Sequence, residues 1–354
     1  MRHTILILCI ALAATVAFAD SAPEDTESSG ELDPEAAAAA AAQQKKNAPL
    51  CAVDKDLRQV AMAMATKRDV PPSAKLVEAV REAGIDANPV YAKFGATGET
   101  DEFRAWLTEL RDRADAPLIC GRGRSGEQVV VITAVRGGEL RPVGKNGMHA
   151  SVIEDFRDPY LVVRDTKGET RRVPVDGEGS GSTIQFPPDW GRPLLVQLVA
   201  TGPNGPRPLA ERWLGTAPRG KPSRAGNKSP ASWLRQLRGA AGVRSLRPNR
   251  LLDREAKAHS QAVCDSGKVG HELDPYGDPE ARLLARGIEA RVVGEAVARA
   301  NTQAEALHAI EDSPSHRITV TDARFTDVGY GTVKDSRGRS CVVVLLAAWP
   351  RKIP

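Results

Sequence analysis

Leu57, Val60, Ala61 and Met64 recur at helical intervals within Asp54–Met64, which predicts a helix over that stretch. Pro71-Pro72 breaks the pattern, and Ala74–Ala83 resumes it until Gly84 stops it. A third helix is expected from Thr100 to Ala114, with Phe103, Leu107 and Leu110 on one face. Glu127–Val135 then reads as a buried strand. The last third of the chain runs through the same succession. A helix over Leu251–Val263 precedes a loop punctuated by Gly267, Gly270, Pro275, Gly277 and Pro279. Helices follow at Glu280–Arg286 and Thr302–Glu311, and strands at Asp327–Thr332 and Cys341–Ala347.

Set side by side, Gly84-Ile85-Asp86-Ala87 faces Gly287-Ile288-Glu289-Ala290, Gly121-Arg122-Gly123 faces Gly329-Tyr330-Gly331, and Val129–Val131 faces Val342–Val344. The offsets grow from 203 to 208 to 213, as short insertions would produce in an internal repeat. Ala92 then stands opposite Glu295. Between the two segments the pattern changes. Tyr160–Arg164, Arg171–Val175, Thr183–Phe186, Leu194–Ala200 and Arg207–Leu214 read as short strands punctuated by Gly and Pro, the rhythm of an all-β sandwich. A basic Pro/Gly/Ser linker over 216–230 separates this segment from the last third.

Composition narrows the classes. Hydrophobic residues are 41% of the 354, enough for packed cores, whereas aromatics are only 4%, too few for a platform that stacks single-stranded nucleic acid. Forty-nine Lys and Arg against 45 Asp and Glu leave +4 over the whole chain, with no basic stripe for DNA. The one long apolar run, Thr4–Val16, follows a basic start and precedes Ala17-Phe18-Ala19, so residues 1–19 read as a signal peptide and 20–48 as an acidic, Ala-rich tether. No transmembrane segment is expected after cleavage, and the address is secreted, periplasmic or cell-envelope.

In an oxidising compartment the four cysteines left after cleavage, Cys51, Cys120, Cys264 and Cys341, are candidates for two disulfides. Three pairings are open on the sequence; the division into units favours Cys51–Cys120 and Cys264–Cys341.

Candidate chemistry gathers in the last third. His271 lies in a glycine-flanked loop, Glu295 among valines and alanines, and His316 in Ser313-Pro314-Ser315-His316-Arg317. A lone carboxylate among apolar neighbours is exposed or partnered, because burying it unpaired costs several kcal/mol. Two imidazoles and an acid in one cleft can hold a divalent metal or share protons. His259 and His308 sit on predicted helices among alanines and read as packing or surface residues. Ser260, Ser313 and Ser315 lack a Gly-x-Ser-x-Gly turn, so no nucleophile stands out.

The ordered set Ala258-His259-Ser260, His271, Gly277-Asp278-Pro279 with Arg282-Leu283, Gly294-Glu295, Ser313–Arg317 and Phe325–Gly331 resembles the bacterial branch of the CAP superfamily of cysteine-rich secretory, antigen 5 and pathogenesis-related proteins, over about residues 231–350. The resemblance implies an α-β-α sandwich whose cleft is lined by His271, Glu295 and His316. Its departures are Ala296 for the family's Asn, Ile310-Glu311 where a Trp is usual, Ser313 where other branches carry a second acid, and Thr319 for a further Asn. The expected fold class is α+β: a degenerate CAP-like α+β unit at 49–136, a β-rich sandwich-like domain at 137–215 and a CAP-like domain at 231–354. The implied function is an exported binding module for an extracellular lipid, glycan or protein ligand. The alternatives are a Zn²⁺-assisted hydrolase, with His271 and His316 on the metal and Glu295 activating water, and a purely structural surface protein.

Overall fold

A computed structural model describes residues 49–67, 73–176, 181–217, 226, 228–273, 275 and 277–349. The signal-peptide and tether readings, Pro71-Pro72 and most of the linker lie outside the described residues. The helices are α1 (Lys55–Lys67), α2 (Ser73–Glu82), α3 (Thr100–Arg113), α4 (Pro230–Ala240), α5 (Arg250–Ser266), α6 (Pro279–Leu284), α7 (Gln303–Asp312) and α8 (Pro314–Val320). The strands are β1 (Ala52–Val53), β2 (Val90–Ala96), β3 (Leu118–Ser125), β4 (Gln128–Val135), β5 (Gly138–Val143), β6 (Gly147–Val152), β7 (Arg157–Arg164) and β8 (Thr170–Pro174). They continue as β9 (Ser182–Gln185), β10 (Leu194–Gly202), β11 (Gly205–Leu214), β12 (Arg247–Pro248), β13 (Val292–Ala300), β14 (Asp327–Lys334) and β15 (Ser340–Ala348).

The first and last segments each build a four-stranded sheet on one plan. In the first the order is β1-β3-β4-β2 and in the last β12-β14-β15-β13, and in both the short leading strand is parallel to its neighbour while the others are antiparallel. Helices cover both faces, so the central strand is apolar at nearly every position, as in β15. Alternation divides its side chains: Val343, Leu345 and Ala347 pack toward α5, and Val342, Val344 and Leu346 toward α4 and α7. In β4 the same division sends Val130, Ile132 and Ala134 toward α1 and α2, and Val129 and Val131 toward α3.

Two glycine pairs bring helix and sheet together. A Cβ on Gly121 would sit 2.1 Å from the backbone N of Arg58, and one on Gly329 2.1 Å from the backbone C of Leu252. Gly123 and Gly331 meet Ala61 and Ala256 in the same way. No side chain fits there, which is the physical reason for the Gly-x-Gly spacing in both segments.

The middle segment is all β. Sheets β11-β10-β7-β8 and β5-β6-β9 share one core of Leu140, Met148, Leu161, Leu194, Leu198 and their neighbours. The disulfides are Cys51–Cys120 and Cys264–Cys341, each spanning a Cα–Cα distance of 5.8 Å. Among the described residues no helix is long and apolar enough to cross a membrane.

Several elements depart from the sequence reading. Strands β2 and β13 escape it because small and polar residues interrupt their apolar pattern, and β5 and β6 because glycine and proline punctuate them. Residues 314–320, which follow the third predicted helix of the last third, form a further helix with Pro314 in its first turn, where a missing N–H costs nothing.

Candidate functional site

Glu295 lies on β13, an edge strand, on the face that Val297 turns toward α5. Its side chain is 1% exposed, so its charge persists only with partners. Arg282 supplies the first, through an ion pair to Oε2. His271 Nδ1 donates to Oε1 at 2.9 Å. His259 Nε2 stands 3.6 Å from the same oxygen and donates to the carbonyl of Gly270 at 2.9 Å. Arg282 extends the network, with Nε 3.3 Å from Glu255 Oε1 and Nη1 donating to the carbonyls of His271 and Gly277 at 2.7 and 2.9 Å.

Local structure places each group. Gly267, at φ 69°, ends α5 in the left-handed region and releases the chain into the His271 loop. Asp278 then accepts from Ala281 N at 2.8 Å, and with Pro279 starts α6 one turn ahead of Arg282. Glu255 and His259 are four residues apart on the buried face of α5.

Burial alone would raise the Glu295 carboxyl, but the His271 hydrogen bond and the Arg282 charge outweigh it and hold the group below the ordinary carboxylate range. His259 is pushed down by burial, against the opposing pull of Glu295. With Nε2–H spent on Gly270, its neutral ring leaves Nδ1 as an acceptor that is buried and without a partner. Desolvation, helped by the charge of His271, holds His316 down to about 3, and its Nδ1 is likewise shielded and unpartnered.

The hydrogen bond joins His271 to Glu295, and His316 lies within electrostatic range of His271, on α8 beyond the edge strand. Glu311 stands elsewhere: it is buried and accepts from Trp233 Nε1 at 3.1 Å, tying α7 to α4. Ser313, at the position of the family's second acid, lies 3.1 Å from Gln197 Nε2 and 3.3 Å from Ser315 Oγ. His259, read from sequence as a packing or surface residue, belongs to the buried network. Arg282 and Glu255 do not stand out in the sequence as site residues. The signal for them is the i, i+4 spacing of Glu255 and His259 on one helix face, and a basic residue one turn into a capped helix.

The donor set does not suit a divalent cation. A metal at Glu295 would have to displace the Arg282 guanidinium and the His271 N–H. Among the described residues no three His, Cys, Asp or Glu side chains gather as a metal-holding group. The network can instead hold one rigid, neutralised wall along a sheet edge.

The segment that carries this α-β-α layer and network, residues 234–346, fits the model of the cysteine-rich secretory protein family, CAP. That segment of the chain is a bacterial CAP domain. Over 94 residues, 26% of this chain and 37% of the relative, it is 30% identical to the uncharacterized protein YkwD of Bacillus subtilis (strain 168), so the match spans little more than a third of that relative. Among solved structures, an outer surface protein from Borrelia burgdorferi is similar at TM-score 0.33 and 18% identity, covering 37% of this chain and 97% of that one. An extracellular protein containing a SCP domain from Bacillus anthracis is similar at TM-score 0.31 and 12% identity, covering 59% and 88%.

Proposed function

We propose that the protein is an exported bacterial binding module that presents a cleft formed by His271, Glu295 and His316 to a lipid, glycan or protein of the cell envelope or medium, without turnover. One observation carries this reading. Both oxygens of Glu295 are already engaged, by Arg282 and His271, so the carboxylate serves as a fixed part of the wall rather than as a base or metal ligand. The zinc-hydrolase alternative needs that same carboxylate free. Export follows from the signal-peptide reading of residues 1–19.

The test uses the chain without residues 1–19, immobilised and exposed to solubilised bacterial envelope. Material retained by the parent and lost from His271→Ala/His316→Ala supports the cleft; equal retention by both removes it. Equimolar Zn²⁺ added to the free protein should leave the imidazole NMR signals of His271 and His316 in place. Stoichiometric uptake abolished by the double variant would restore the hydrolase.

A further inference from the structure

The middle β unit contacts the His271 loop and the start of α8. The β10–β11 hairpin ends at Gly202-Pro203-Asn204-Gly205, and the carbonyl of Asn204 accepts from two successive backbone N–H groups, His271 at 3.0 Å and Glu272 at 3.2 Å. Contact there is close: a Cβ on Gly270 would meet Asn204 Cβ at 2.7 Å, and one on Gly205 would meet Glu272 Oε1 at 3.1 Å and His271 Cβ at 3.3 Å. Nearer the base of the hairpin, Gln197 Oε1 accepts from Ser315 N at 2.8 Å, at the start of the helix that carries His316. Arg164 of β7 donates to Asp312 at 3.2 Å, and Arg81 of α2 pairs with both Asp312 and the buried Glu211 of β11. The unit therefore touches both ends of the cleft, the His271 loop and the turn before His316.

We propose that this hairpin is an intramolecular occupant of the cleft, so that the chain closes its own site and an outside ligand enters only when the Asn204 contact lifts. The proposal rests on the cleft reading above and names how that site is regulated. Asn204 presents a main-chain carbonyl to paired N–H groups, as a bound polypeptide segment would, and the contact is carried by main-chain hydrogen bonds. Two backbone hydrogen bonds hold less than a packed core does, so this end should open locally, without global unfolding.

The experiment compares the parent with Gly270→Leu and Gly205→Ala, which break the contact from opposite sides. The readouts are the rates of diethyl pyrocarbonate modification at His271 and His316, with His149 as internal reference, and amide exchange at His271 and Glu272. We expect slow modification of both histidines in the parent and a rise of about tenfold or more in Gly270→Leu, with amide exchange accelerated in parallel. Equal modification rates in parent and variants overturn the cover. In the parent alone, exchange of the His271 and Glu272 amides as slow as that of β15 also overturns it, because the contact would then open only with the whole fold; this arm needs no variant. Retention of envelope material separates the two readings. If the variants open and retain no more than the parent, the cover stands and the cleft reading fails. If parent and variants are modified alike while retention still depends on His271 and His316, the cleft reading stands and the cover fails.

Discussion

The two four-stranded units use the same strand order and the same helix-to-sheet glycines, yet line one shared position in opposite ways. Gly121 and Gly123 meet α1 where Gly329 and Gly331 meet α5, an offset of 195 along the helix, and Ala92 pairs with Ile132 where Glu295 pairs with Leu345. Carried through the frame, Glu255, His259, Arg282 and Glu295 of the C-terminal unit fall on Val60, Met64, Ala79 and Ala92 of the N-terminal one. Those four side chains belong to, or pack against, an ordinary apolar core. A plan that closes with valine, methionine and alanine does not need a buried arginine, two carboxylates and an imidazole to be stable. Desolvating buried ions costs several kcal/mol each, and apolar replacements of whole networks are often neutral or stabilising. The shared plan therefore gives the network no necessary part in holding the fold.

The largest expected effect breaks the comparison on one side only. Arg282→Ala leaves the buried Glu295 with only the His271 N–H and Glu255 with only the largely exposed Arg286, and should cost about 3 kcal/mol, read as a lower urea midpoint in tryptophan fluorescence. Transplanting the N-terminal solution as Glu255→Val/His259→Met/Arg282→Ala/Glu295→Ala should cost markedly less than the single change, because no charge is left unpaired. A quadruple variant as unstable as Arg282→Ala would show that the two frames are not interchangeable.

Next come the disulfides, which tie the shared plan at different places. Cys51–Cys120 joins the start of β1 to its parallel neighbour β3, whereas Cys264–Cys341 joins the end of α5 to the start of β15. Closing loops of 69 and 77 residues, each should contribute about 2–4 kcal/mol. Replacing either pair by alanine should lower the melting temperature, and Cys264→Ala/Cys341→Ala should loosen α5 and the His259 contact first. An unchanged melt for both double variants would sink the expectation.

What could be read in advance follows from the same contrast. The apolar central strands, the helices with their Gly and Pro stops and the Gly-x-Gly pairs are local signals, and they were legible. His271 and Glu295 are singled out together by the ordered motif set of the family resemblance, since spacing alone does not group them. Arg282 and Glu255 are not, because each sits in a helix whose spacing explains it equally well as a solvated face; only the packing of α5 on β14 and β15, and of α6 on β13, turns them inward. The contact of the middle unit with the His271 loop and the turn before His316 was hidden for a different reason. It rests on main-chain hydrogen bonds accepted by Asn204 and on side-chain pairs between distant segments, such as Gln197 with Ser315 and Arg164 with Asp312, which no local pattern records.

The smallest expected effect is a pH window set by imidazoles that only one of the two four-stranded units carries. His259 and His316 have folded pKa values depressed by burial, His316 to about 3, while in the unfolded chain a histidine takes a proton near pH 6.5. The unfolded state thus binds protons first as pH falls. Stability that is whole above about pH 6.5 declines progressively toward about pH 3, and the sign is loss on acidification. The shift at Glu295 runs the same way but acts lower, below the ordinary carboxylate range. Residues 49–136 contain no histidine, so the N-terminal unit has no imidazole contribution, and its buried Asp86, raised by desolvation, acts with the opposite sign. Amide protection factors in α5 and α8 should therefore drop between pH 7 and pH 5 while those of β4 hold. A uniform drop across both sheets would mean that the three segments open only together, and that the imidazoles report global rather than local stability.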